Sequence, residues 1–239
     1  MPRPDRTGLV LGVDGCRAGW LCVSRDRRQG TCRADIIGTI EEILRFGKPA
    51  AAAIDMPIGL TDAGPRQCER EARRLLGRPR SSSVFPVPAR PLLSARGYAQ
   101  ACRIGLRVDG RKPSRQSWGI FPKIRDVDDF LRSHEDFQAR LWEAHPEVSF
   151  RALGGRHAPA HPKKTPEGRR ERERLIRSRF GPGLREAQEC LPSGGWGMDD
   201  LLDAFAVLWT AQRIADGRAV SLPSHPPVDA FGLRMAIAY

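Results

Sequence analysis

The sequence predicts an α/β fold built on a mixed sheet, and three observations carry that prediction. Two apolar runs, "GLVLGV" (8–13) and "PAAAAI" (49–54), each end in an aspartate, Asp14 and Asp55. Two alternating segments, "WLCVSRD" (20–26) and "TCRADII" (31–37), are joined by the turn-like "RRQG". One short amphipathic segment, "TIEEILRFG" (39–47), stands between this pair and the second run.

Each segment has a physical reason to adopt its predicted form. A short apolar run closed by Asp-Gly fits a buried strand followed by a turn. Alternation across a four-residue turn fits an antiparallel hairpin. Thr39 can cap the amphipathic helix and Gly47 can stop it. A crossover through that helix lays strand four parallel to an earlier strand, by preference the first. Asp14 and Asp55 then stand at the carboxyl ends of adjacent parallel strands, where open α/β sheets place their ligands. Turn capping is the other account of two strand-end aspartates.

Residues 60–137 hold helical pieces and Pro-rich loops, including "RQCEREARRLLG" and "SSSVFPVPARP". The chain is thus expected to form one domain over 1–239, with 60–137 as a helical and loop insertion or cap. "LWEAHPEVSF" (141–150) alternates and predicts a strand, broken or ended near Pro146, with Glu143, His145 and Glu147 on its polar face. "PEGRRERERLIRSRF" (166–180) predicts a charged helix, with a solvated face laced by i,i+4 pairs or a phosphate-contacting face as its two identities.

Composition narrows the function classes. A chain of 239 residues can bury a full core. No apolar run approaches the roughly 18 residues of a membrane helix, and "MPRPDRTGLVLGVDG" is unlike a secretory signal, so a cytoplasmic protein without membrane association is expected. The six cysteines contain no C-x-x-C pair, which argues against a zinc ribbon, a redox motif or a disulfide framework. The net charge of +12 points to an anionic partner, with nucleic acid first. Yet only five of the 40 basic residues are lysines, and an arginine bias of that size also arises from genomic base composition.

A late segment, "GMDDLLDAFAVLW" (197–209), raises the sharpest question: Asp203 stands one turn into a helix apolar on nearly every side. A buried lone carboxylate neutralises, pairs or binds a cation, so a cationic partner is expected. Asp200 lies three residues earlier on the same face, which Val207, Ala211 and Ile214 continue into the core. Helix capping accounts for Asp199 and for Asp200. It accounts poorly for Asp203. Should Asp14, Asp55 and Asp203 converge, Mg²⁺ or Mn²⁺ would suit so oxygen-rich a site, and such ions serve phosphodiester cleavage.

These residues resemble a known pattern. An Asp in the first strand, an Asp at the fourth and a D-x-x-D-A near the start of a late helix resemble the ribonuclease H-like superfamily. "GVDGCRAGW", "AIDMPIGL", "LLGRPRSSSVFP", "FPKIRDVD", "EAHPEVSF", "KKT" and "MDDLLDAFA" together resemble a bacterial family of predicted RNase H-like nucleases, domain-of-unknown-function family 429. The resemblance spans nearly the whole chain. It implies three antiparallel strands, then parallel strands with crossover helices, and a metal-dependent nuclease whose activity is itself inferred from the fold.

By that resemblance Asp14 would be the central metal ligand, Asp55 the second-strand ligand, and Asp203 with Asp200 the helix carboxylates. Glu143 would be a further acid, with Glu147 behind it. Lys163 and Lys164 would contact phosphate, pair with the acids or form a surface pair; His145 would orient a carboxylate or water, or serve structure alone. Arg78, Ser82, Ser83 and Phe85 would line a substrate loop or merely pack. Two other readings stay open: a sugar-kinase or actin-like phosphotransferase or ATPase, from "GVDGCRAG", and a non-catalytic nucleic-acid-binding module on the same fold. The sequence sets no oligomeric state.

Overall fold

A computed structural model describes residues 8–239. The reading of the N-terminus against a secretory signal falls partly on residues 1–7, outside the described residues. The strands are β1 (Leu9–Cys16), β2 (Gly19–Asp26), β3 (Cys32–Ile37), β4 (Ala51–Ile54), β5 (Leu141–Glu143) and the two-residue β6 (Ser221–Leu222) and β7 (Ile237–Ala238). The helices are α1 (Gln67–Leu76), α2 (Tyr98–Asp109), α3 (Arg115–Gly119), α4 (Phe121–Ser133), α5 (Glu135–Gln138), α6 (Pro146–Leu153), α7 (Pro166–Phe180), α8 (Gly183–Cys190) and α9 (Met198–Ala215). The described chain divides into two compact units, one of residues 8–56, 136–220 and 238–239, the other of 57–135 and 221–237. Among the described residues no helix is long and apolar enough to cross a membrane.

The first unit holds a mixed five-stranded sheet in the order β3-β2-β1-β4-β5. β1 pairs antiparallel with β2 and parallel with β4, as a crossover through the 39–47 segment predicts. That segment is a 3-10 helix, Ile40–Phe46, and the Glu42 carboxylate accepts the Gly38 and Thr39 N–H groups at its start. β1 runs two residues beyond Asp14, which pairs with Leu21 of β2. Only the ladder with β4 stops short of Asp14, at Val13 opposite Ile54.

α9 packs across β1 at Gly12. A Cβ at Gly12 would lie 2.2 Å from the Ala204 carbonyl oxygen and 2.5 Å from the Leu208 nitrogen, so only glycine admits the helix backbone this close. Burial of α9 runs from Leu201 to Ala211 without a break, Asp203 included. Phe205, Leu208, Val10, Leu21 and Val23 share one apolar core with Phe150 and Phe180. A buried hydrogen bond of 2.8 Å between Ser149 and Thr210 ties α6 to α9.

The strand expected over 141–150 is only three residues long. Pro146 opens α6 instead, because its fixed φ and missing N–H suit the first helical position. Alternation of polarity continued past the strand end, and the proline decided the outcome. Glu147 therefore lies in the first turn of a helix rather than on a sheet face.

The second unit contains α1 to α4 and most of the residues read as an insertion, together with 221–237. Its interior uses arginine as a connector. Arg66 is buried against Glu69 at 2.7 Å and donates to the Ile58 and Gly59 carbonyls. Arg90 bridges Asp128 and Asp229 and lies over the Phe231 ring, with Arg132 also over that ring. The six cysteines are free thiols, and Cys16, Cys22, Cys32 and Cys68 are buried.

Candidate functional site

Strand alternation and ladder register assemble the carboxylates. Residues two apart on a strand face the same side, so Asp14 emerges on the face that Gly12 gives to α9. Asp203 precedes Ala204, the residue touching Gly12. Asp55 follows Ile54, the partner of Val13, and its N–H donates to the Val13 carbonyl at 2.9 Å. Three aspartates from β1, the end of β4 and the first turns of α9 thus act on one another in a buried place.

Their electrostatics record the crowding. Burial first, then the charges of Asp55 and Asp203, push the Asp14 carboxyl well above the ordinary carboxylate range. Burial also raises Asp55 to about 6, although Lys163 and a hydrogen bond from Asp14 work the other way. Asp203 rises to about 6, again mainly through burial, against the pull of Lys163.

Lys163 is the cation that faces Asp203. Its ammonium donates to Asp203 Oδ2 at 2.7 Å while its side chain remains 42% exposed. Burial disfavours the ammonium, but Asp203, then Asp14 and Asp55, outweigh it and hold the amine above its ordinary value. Among the described residues, the lysine charge that bears on the three carboxyls is that of Lys163.

Asp200 accepts the Gly197 N–H at 2.8 Å, a cap for α9, and its charge also bears on Asp14. Glu147 bears on Asp55 and Asp203, yet it is paired with Arg172 at 2.5 Å. Glu143 is buried at the end of β5, opposite Ile54. His145 precedes α6 as its N-cap residue. Lys164 is solvent-exposed beside Lys163. Arg78 and Ser83 are exposed residues of the second unit, where Ser83 Oγ donates to the Arg80 carbonyl at 2.7 Å, and Ser82 and Phe85 belong to the same unit.

Sequence reading missed Arg172. It is fully buried in α7, although the helix reads as solvated. Its guanidinium donates to Glu147, to the His161 carbonyl at 3.1 Å and to the Gly168 carbonyl at 3.0 Å. It thereby clamps both ends of the loop that presents Lys163. The signal was present as a four-residue spacing: Gly168, Arg172, Ile176 and Phe180 are the buried residues of α7.

Among the described residues, no three His, Cys, Asp or Glu side chains form a ready metal-ligating cluster. The donor chemistry still suits a hard cation, because every acidic group is an oxygen ligand and Mg²⁺ is commonly held by one or two carboxylates plus substrate phosphate. Asp14 and Asp55 supply such a pair. Asp203 is engaged by Lys163.

A pH dependence follows. Asp55 and Asp203 take up protons at higher pH in the folded chain than in the unfolded one, so their contribution to stability falls as pH rises from about 4 to about 6. The loss is about 2–3 kcal/mol per group. Carboxyl-carbon NMR of aspartate-labelled protein without divalent cations should show resonances titrating near pH 6. Titration of every aspartate at or below pH 4 would remove the crowding account.

No curated protein and no solved structure gives a significant match. The family model described as "Protein of unknown function (DUF429)" matches residues 12–228, and the chain belongs to that family.

Proposed function

We propose that the protein is a divalent-metal-dependent nuclease on a ribonuclease H-like fold. One observation carries the reading: carboxyls from β1, β4 and α9 are forced together with Lys163 as counter-charge. Such crowding costs stability, and a site that keeps it gains a high affinity for cations. The 3-2-1-4-5 strand order, antiparallel through β1 and parallel beyond it, agrees with the fold assignment.

Asp14 and Asp55 would hold Mg²⁺ or Mn²⁺. When bound, the ion supplies Lewis-acid stabilisation of phosphoryl oxygen charge and a more acidic water. The remaining chemistry belongs to the chain. Asp203 keeps Lys163 protonated and oriented, so a fixed positive charge stands half-exposed beside the acids, where a phosphate oxygen can meet it. Hydrolysis adds water across one P–O bond and leaves a phosphomonoester and a hydroxyl. The +12 charge of the chain favours a polyanionic substrate.

The test is incubation with labelled single-stranded, duplex and branched DNA and RNA in Mg²⁺ or Mn²⁺, beside EDTA and Asp14→Asn. Loss of an outer partner of a metal ligand already costs about 10–100-fold, so loss of Asp14 should lower cleavage by more than about 100-fold. Cleavage that survives EDTA or the substitution would refute the proposal, as would binding of every substrate without turnover.

A further inference from the structure

A second charged site lies at the other end of α9, inside the same unit. A cavity of about 380 Å³ is lined by Leu153, Ser178, Arg179, Trp209, Arg213 and Arg218. Ten residues separate Arg213 from Asp203 along the helix, a rise of roughly 15 Å. The two sites are therefore distinct.

Three guanidiniums line this cavity and no carboxylate does. The nearby Asp216 is already shared, accepting from both Arg27 and Arg218. Arg213 stacks over the Trp209 ring at 4.9 Å and donates from Nη2 to the Arg218 carbonyl at 2.5 Å. Its Nε is shielded from solvent and has no hydrogen-bond partner among the described residues. Burial, followed by the Arg218 charge, lowers the Arg213 pKa, with Arg179 adding to the effect against Tyr239 and Asp216. Arginine stays charged regardless, so the repulsion persists until an anion relieves it.

The last carbonyls of α9 accept backbone N–H groups: Gln212 from Asp216, Arg213 from Arg218 and Ala219, and Ile214 from Gly217. Three guanidiniums around one cavity match the geometry of phosphate oxygens better than that of a spherical ion. The volume lies at the lower end of small-ligand sites. We propose that the cavity between Arg179, Arg213 and Arg218 binds a phosphate group, carried either by a small phosphomonoester or by a nucleic-acid backbone. This proposal does not depend on nuclease activity.

The experiment is thermal unfolding of the full chain in EDTA, with sodium phosphate or phenyl phosphate against sodium chloride at equal ionic strength. Arg179→Gln, at an exposed position, and Arg213→Gln run beside the wild type. A phosphate-specific rise of roughly 5 °C or more is expected at about 100 times Kd, and Arg179→Gln should lose most of it while unfolding near the wild-type temperature in chloride. Polarisation of a labelled ten-residue oligothymidylate then separates the two sources: displacement by phenyl phosphate that depends on Arg179 assigns the backbone, and its absence assigns the small phosphomonoester. No phosphate-specific rise in the wild type, or an undiminished rise in both variants, overturns the site.

Discussion

Asp14→Asn is expected to stabilise the metal-free protein at pH 7.5 while removing cleavage. The carboxyl at this position is driven toward its neutral form by burial and by the charges of Asp55 and Asp203. An asparagine has nearly the same volume and no charge, and it can still donate to Asp55. The gain should be about 1–4 kcal/mol, the range in which neutral groups replace buried charged ones. For a chain of this size each kcal/mol moves Tm by about 2–4 °C. The advantage should shrink as pH falls toward 5, because taking up the Asp14 proton on folding then costs less. Excess Mg²⁺ should stabilise the wild type and leave the variant unmoved. Differential scanning calorimetry at pH 5 and 7.5, with EDTA and with Mg²⁺, reads all three effects. A variant less stable than the wild type at pH 7.5 in EDTA would mean that the carboxylate supports the fold rather than straining it.

Gly12→Ala should damage the protein more than any conservative change at the site. The new methyl group would meet backbone atoms of α9, the Ala204 oxygen at 2.2 Å and the Leu208 nitrogen at 2.5 Å, and backbone cannot swing aside. Overpacking in a yielding core costs about 1–3 kcal/mol. Here β1 and α9 must separate, so about 3 kcal/mol or more is expected, a drop of roughly 10 °C in Tm. That displacement also carries Asp203 away from Asp14. Urea unfolding followed by circular dichroism measures the loss. A midpoint within error of the wild type would show that the helix does not press on the strand at this residue.

Much of this site could be read from the chain before folding. Asp14 and Asp55 each stand at the end of an apolar run, and Asp203 interrupts one, so burial of their surroundings was evident from pattern. The strand and helix order around the first 55 residues was equally plain, since each element there obeys its own period. The 141–150 segment was not, because polar alternation in "EAHPEVSF" serves a short strand and then a helix turn, and Pro146 governs where one becomes the other.

Hydrophobic patterning alone was enough to set Asp203 within an apolar helix, where a cation is expected to answer it, and to put Asp14 and Asp55 at the ends of two apolar runs. Which cation answers, and from which loop, was settled only when α7 laid Arg172 between Glu147 and the 161–168 carbonyls and so held Lys163 against Asp203. The closeness of Asp203 to Asp14 likewise rests on one missing side chain, Gly12. Burial is a local property that a run of residues can announce. Ion pairing across 40 residues depends on the distance between two elements, and that distance exists only once the core has packed.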